Sequence, residues 1–384
     1  MQVIRNFRTG PIMKALNVSL LLVGVWTSLA VAADPPPREI EARLPLAKGN
    51  RGEIDKVWAD TPRPQRAGLE FLLLNMSEKD LRSLKAEFLL ENSELAYKAR
   101  AEFPWAKAVP DDIFFNNVLP YANVDESRDP WRKELYDLAK PLVKDCKTAT
   151  EAVMKLNAEL FPKLKVGYST QRKLPNQSPK ESIEQGKASC TGLSILLSDA
   201  CRAVGVPTRV VGIPNWSNKR GNHTWLEIWD GDWHFTGACE PDPKGLDRGW
   251  FVGDAAQAQK DKPEHSIYAV SFAKTKTPFP LVWAPGQKDV SAVNVTERYT
   301  KAKPDPKLVR VMIRVTGADG KRVKETVTID KLVGQSKDES ADTNDYLTFD
   351  LPPDREYKLV VGKVELTFRT KAAGEQQLID VKLK

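Results

Sequence analysis

The chain has 384 residues, 41% of them hydrophobic and 28% charged, with a formal net charge of +7. A chain of this length and composition can bury two or three packed cores, and its charge is too mildly basic to imply a nucleic-acid partner.

At the N-terminus, Arg5, Arg8 and Lys14 precede the apolar stretch from Leu16 to Val31, and Ala30-Val31-Ala32 supplies a small-residue cleavage site before Asp34. Residues 1–33 therefore read as a secretory signal peptide, and the apolar stretch is short for a membrane span. Its removal takes away three basic and no acidic groups, lowering the net charge from +7 to +4. The mature chain is expected to be secreted or periplasmic, with no stable membrane insertion.

Residues 34–130 are expected to form an N-terminal helical domain. Phe71, Leu72, Leu73, Leu81, Leu84, Phe88 and Leu89 recur among charged residues at helical spacings, with Ser77 as a helix N-cap. The aromatic-rich segment from Pro110 to Trp131 is expected to pack this domain onto the next one. A helix from Trp131, and another opened by a Thr148/Glu151 capping box with Val153, Leu156 and Leu160 inward, lead into a core over 131–283.

Within that core, Cys190 follows Gly186-Lys187-Ala188-Ser189. The helical spacing of Leu193, Leu196, Leu197, Ala200 and Val204, stopped by Gly205 and Pro207, places Cys190 in the first turn of a helix. Unpaired backbone N–H groups and the positive dipole end favour an anion there, which suits a thiolate nucleophile or a bound oxyanion. Thr208 to Ile213 reads as a strand and His223 to Trp229 as a second, and Asp230-Gly231 signals a hairpin. A two-residue turn would pair Leu226 with Phe235 and Ile228 with Trp233. His223 would then lie opposite Ala238, with Glu240 on its face and within reach of the imidazole. A bulge at Gly237 would favour Asp242 instead. His234 and His265 read as structural or exposed. Gln185, five residues before Cys190, is a weaker oxyanion candidate.

The Cys190 helix ending in Arg202-Ala203-Val204-Gly205-Val206-Pro207-Thr208-Arg209, the His223 hairpin and an acidic residue beside Pro241 resemble the core of the transglutaminase-like superfamily. The resemblance covers about residues 148–245. It implies an α+β chain with a papain-like core, Cys190 as nucleophile, His223 as base and Glu240 as the third member. Glu240 departs from the family pattern, in which an Asp follows the hairpin tryptophan sooner. If Cys190 is a free thiol, Cys146, Cys201 and Cys239 leave room for one disulfide. Cys190 and Cys201, about 16 Å apart along a helix, cannot pair.

Residues 284–384 are expected to form a C-terminal β-sandwich module. Short alternating strands run over Leu308–Val315, Val323–Ile329, Tyr346–Phe349, Tyr357–Val361, Val364–Phe368 and Leu378–Leu383. With no histidine or nucleophile of its own, it reads as an accessory for packing or recognition. The acidic loop of Asp338, Glu339, Asp342 and Asp345 lacks EF-hand spacing and reads as solvated rather than calcium-binding.

Phosphate loops, His-Glu-x-x-His, Cys-x-x-Cys pairs and nucleophile elbows do not occur, so neither a metal nor any other cofactor is expected. The expected activity is attack on an amide of a protein or peptide substrate through a Cys190 thioester, resolved by water in preference to an amine. The alternative is a catalytically silent surface protein that binds peptide or glycan. Oligomeric state is not legible.

Overall fold

The computed structural model describes residues 35–301 and 307–384, and the expected signal segment lies outside them. Three of the N-terminal helices, α1 (Arg51–Asp60), α2 (Arg66–Asn75) and α3 (Ala86–Glu102), close over one cluster. Ile54, Val57, Leu69, Leu72, Leu73 and Leu89 are buried in it. Ser77 caps a short helix as expected, its Oγ accepting the Asp80 N–H at 3.1 Å.

The core is built on α4 (Trp131–Val143), α5 (Ala149–Leu164), α6 (Pro179–Gln185) and α7 (Cys190–Ala203). Thr148 caps α5, but Glu151 bonds the Lys147 N–H rather than the cap residue's own, so half of the expected capping box forms. Every residue of α7 from Thr191 to Ala203 is buried. Leu193, Leu196, Leu197 and Ala200 pack against α4, α5, Leu226 and Ile228. Two buried polar residues of α7 tie it to its surroundings: Arg202 donates to the carbonyls of Asn117, Ala122 and Thr208 at 2.9–3.1 Å, and Asp199 Oδ1 accepts from Asn123 at 2.8 Å. The N-terminal helices reach this core through Phe103, Trp105 and Ala106, the Trp105 indole donating to the Val204 carbonyl at 2.9 Å.

Against α7 lies an antiparallel sheet of β1 (Thr208–Ile213), β2 (His223–Trp229), β3 (Trp233–Thr236), β4 (Tyr268–Ser271), β5 (Thr277–Pro278) and β6 (Ser291–Asn294), in the order β3-β2-β1-β4-β6-β5. Leu226 and Ile228 face the helix, while Trp225 joins Val211, Phe251 and Tyr299 on the other side. The hairpin register is one residue from the expected one: Leu226 pairs with Thr236 and Ile228 with His234. The turn takes in three residues, with Gly231 in the left-handed region and the Asp230 N–H bonded to the Asp232 carbonyl. The core also runs past the expected boundary at 283/284, because β6 pairs with β4 and a helix over Thr296–Thr300 brings Tyr299 onto Trp225.

Residues 307–384 form two sheets over one apolar core. Their strands are β7 (Val309–Thr316), β8 (Thr326–Ile329), β9 (Leu332–Gln335), β10 (Leu347–Leu351), β11 (Glu356–Val361), β12 (Val364–Arg369) and β13 (Gln376–Lys382). One sheet has the order β9-β8-β11-β12 and the other β10-β7-β13. All six expected strands are present within a few residues, and β9 is additional. Among the described residues, no helix is long and apolar enough to cross a membrane.

Gly205, just past the C-terminus of α7, has φ +74°, and a Cβ there would sit 2.7 Å from the Ala106 Cβ. Gly205→Ala combines left-handed strain with that overlap and should cost about 2 kcal/mol or more, read as a lower urea midpoint.

Candidate active site

Three side chains from separate elements converge at the N-terminus of α7: the Cys190 thiol, one ring nitrogen of His223 and a carboxylate oxygen of Asp342 lie within 4.8 Å of one another. Cys190 is the first residue of the helix and half-buried. Ser189 caps the helix, its Oγ accepting the Gly192 N–H at 3.0 Å and donating to the Pro175 carbonyl. The Cys190 N–H, at the first helical position, has no acceptor in a preceding turn. A hydroxyl pair, Thr191 to Thr224 at 3.0 Å, fastens the helix start to β2 beside His223.

His223 opens β2 and is 2% exposed. Its ring is walled by Trp225, Trp250 and Phe251 at centroid distances of 4.6–5.7 Å. Nδ1 lies 3.5 Å from Asp342 Oδ2, an ion-pair separation just beyond a formed hydrogen bond. Burial pulls the imidazole pKa down, but Asp342 and Cys190 outweigh it and raise the pKa from 6.5 to about 10.

Asp342 comes from the loop between β9 and β10, in the C-terminal unit, and is 3% exposed. Burial alone would raise its carboxyl, yet the neighbouring His223 holds it below the ordinary carboxylate value. The loop is braced from within: Arg322 donates from Nη1 to the Asp342 and Asp345 carbonyls at 3.0 and 3.1 Å, and from Nη2 to Ala341 at 2.6 Å. The Asp342 carboxylate itself accepts the Asn344 N–H at 2.9 Å. Asn344 ties the loop to the core, donating to the Asn222 carbonyl at 3.1 Å and accepting from Arg220 at 3.0 Å. The expectation of a solvated acidic loop is thus corrected, since Asp342 and Asp345 are both buried.

Glu240, expected at the His223 ring, is held elsewhere. Both of its carboxylate oxygens accept from the Trp250 indole at 3.1 Å. Gly237 makes room for this fold-back, since a Cβ there would meet Glu240 Oε2 at 2.2 Å. Burial pushes the Glu240 carboxyl up to about 7, despite the pull of nearby His223. Asp242 faces away, paired with Arg248 at 2.8 Å. Gln185 is engaged by the Lys173 N–H at 3.1 Å, His234 by Asp247 at 2.7 Å and His265 by the Asn215 carbonyl at 2.9 Å. Cys146, Cys201 and Cys239 are free thiols like Cys190, and burial pushes all three up, Cys239 to about 11.

Residues 136–255 match the family model of the transglutaminase-like superfamily, and this part of the chain is a transglutaminase-like domain. No curated protein matches the chain. Among solved structures it is similar to a candidate cysteine protease from Cytophaga hutchinsonii, at 20% identity and a TM-score of 0.29 over 51% of this chain and 68% of the other. It is also similar to a candidate protease from Parabacteroides distasonis, at 10% identity and a TM-score of 0.27 over 63% of this chain and 36% of the other. The family domain and the cysteine-centred cluster together support a cysteine enzyme.

The raised Glu240 pKa has a definite sign. The fold favours the protonated carboxyl, so stability from this group is full below about 4.5 and is lost as pH rises through about 7. Glu240→Gln removes that loss. The melting temperature of the variant relative to the parent should therefore climb between pH 4 and pH 8 in calorimetry, and a flat difference would contradict the assignment.

Proposed function

We propose that the protein is an exported thiol hydrolase that cleaves an amide in a protein or peptide substrate through a Cys190 thioester. In this reading the N-terminal helices are a packing domain, and the C-terminal unit is a β-sandwich that completes the site. The observation that carries the proposal is the convergence of Cys190, His223 and Asp342 within 4.8 Å at a helix N-terminus. Export rests on the sequence of residues 1–33.

With its pKa near 10, His223 is an imidazolium at neutral pH and can pair with a Cys190 thiolate. The thiolate adds to the amide carbonyl, and the carbonyl electron pair moves to oxygen, facing the Cys190 N–H. His223 gives its proton to the departing amine as the C–N bond breaks, leaving a thioester and a neutral imidazole. Water then adds as His223 takes its proton, and collapse releases a carboxylic acid and the thiolate. Asp342, at Nδ1, fixes the ring and stabilises the imidazolium; Glu240 lacks that position. Water is favoured over an amine as acceptor because the sequence carries no signature of a second site that shields the thioester.

Iodoacetamide labelling of the folded protein near pH 6, read by peptide mass spectrometry, should modify Cys190 ahead of the three other thiols. His223→Ala should slow it, and Asp342→Asn should cut any turnover by roughly 10² or more. Slow, equal labelling of every accessible cysteine would leave a silent peptide- or glycan-binding protein as the better reading.

The same three donors suit a soft divalent cation, since thiolate, imidazole and carboxylate are all zinc ligands. Micromolar zinc should block Cys190 alkylation and a chelator should restore it, whereas magnesium should have no effect.

A further inference from the structure

Just before Cys190, a short strand bridge carries a tyrosine that the mechanism does not use. Gly167 and Tyr168 pair in parallel with Lys187 and Ala188, the Gly167 N–H bonding the Gly186 carbonyl at 3.3 Å and the Ser169 N–H the Ala188 carbonyl at 2.9 Å. Tyr168 is thereby fixed beside Ala188, and the next residue, Ser189, caps the helix that presents the thiol. The tyrosine ring is half-buried against the core around α7. Its hydroxyl leaves this segment and reaches the C-terminal unit: Oη accepts the Thr343 N–H at 3.3 Å and donates to Thr343 Oγ1 at 3.4 Å. Three consecutive loop residues thus hold three places on the core: Asp342 the His223 ring, Thr343 the Tyr168 phenol, and Asn344 the Asn222 carbonyl and Arg220. Arg220 and Asn222 stand just before His223, so they fix the loop relative to the histidine. Among the described residues, Tyr168 supplies the hydrogen bonds from this loop to the segment that leads into Cys190. Burial, Asp342 and Cys190 raise the phenol pKa, so the hydroxyl keeps its proton at neutral pH.

We infer that Tyr168 is a positioning residue, which sets Asp342 against His223 by tying the Asp342 loop to the segment that presents Cys190. The inference rests on the thiol-hydrolase reading and adds a residue that acts through the carboxylate. Nδ1 of His223 and Oδ2 of Asp342 are 3.5 Å apart, at the edge of hydrogen-bond reach, so a small displacement of the loop decides whether the bond closes. Asn344 alone leaves the loop free to pivot about its contacts with Arg220 and Asn222. The phenol supplies a second anchor on the other side of Asp342, and the carboxylate is held between the two. Tyr168→Phe removes that anchor without removing a charge, since Asp342 and Glu240, the acids that act on the His223 ring, both remain.

The decisive quantity is the coupling between two substitutions. Iodoacetamide labelling of Cys190 is timed at about pH 6, with a chelator present, in the parent protein, Tyr168→Phe, Asp342→Asn and the double variant. In the parent background Tyr168→Phe should slow labelling roughly 3- to 10-fold, the weight of one hydrogen bond. With Asp342→Asn already in place it should slow labelling by less than about 2-fold, because a residue that works through the carboxylate then has nothing left to position. The downfield proton resonance of His223 Nδ1–H, assigned by its loss in Asp342→Asn, should weaken or move upfield in Tyr168→Phe, a change that a merely structural tyrosine would not produce. Thr343→Val approaches the same contact from the loop side, removing the hydroxyl and keeping the N–H, and should act in the same direction with a smaller effect. Equal slowing by Tyr168→Phe in both backgrounds, or an unchanged labelling rate and Nδ1–H resonance, overturns the positioning role and leaves the thiol-hydrolase reading standing. Labelling of Cys190 no faster than that of the other thiols in the parent protein overturns both.

Discussion

Everything at this site depends on a carboxylate being brought to a buried imidazole from another part of the chain. His223 lies among indole and phenyl rings, where desolvation by itself would keep it neutral. The Asp342 carboxylate on one side and the Cys190 thiol on the other reverse that tendency. The cost of burying Asp342 is met by its own surroundings: the Asn344 N–H, the His223 ring, and an arginine that grips the surrounding loop by three carbonyls. Arg322 touches none of the reacting atoms, yet it sets the backbone from which Asp342 projects.

The other half of the geometry is the rigidity of α7. Burying polar groups inside a helix is costly without partners, and Arg202 and one carboxylate oxygen of Asp199 find theirs in the N-terminal helical part. The helical part therefore contributes no side chain to the thiol cluster but fixes the far end of the helix that presents it. At the near end, the Ser189 cap and the Thr191–Thr224 contact hold Cys190 and His223 in one frame.

Local signals in the sequence carried much of this. The apolar period after Cys190, the Gly205 stop, the strand beginning at His223 and the alternating strands near the C-terminus each follow from short-range stereochemistry, and each is present in the structure. The hairpin register was not legible, because Asp230-Gly231 permits a two- or three-residue turn and one residue of slip changes every cross-strand pair. That slip is what set Glu240 against His223 on paper, while Trp250 and the space at Gly237 hold it in the fold. Asp342 was visible as one acid among several in a loop. Nothing within that loop says that it will be buried against a histidine of a different unit, since that contact is made by tertiary docking through Arg220, Asn222 and Asn344.

The split origin of the cluster also orders its assembly in time. Cys190, His223 and the sheet that carries them are joined by short connections and can close on one another early, whereas Asp342 must first be placed by the folding of β7 to β13 and then by docking of that unit. Contacts so distant along the chain form late, because the entropy of closing the intervening loop is lost before the contact is gained. A partly folded chain thus holds a histidine without its carboxylate partner, and the pair is completed only when the unit of β7 to β13 has folded and docked on the core.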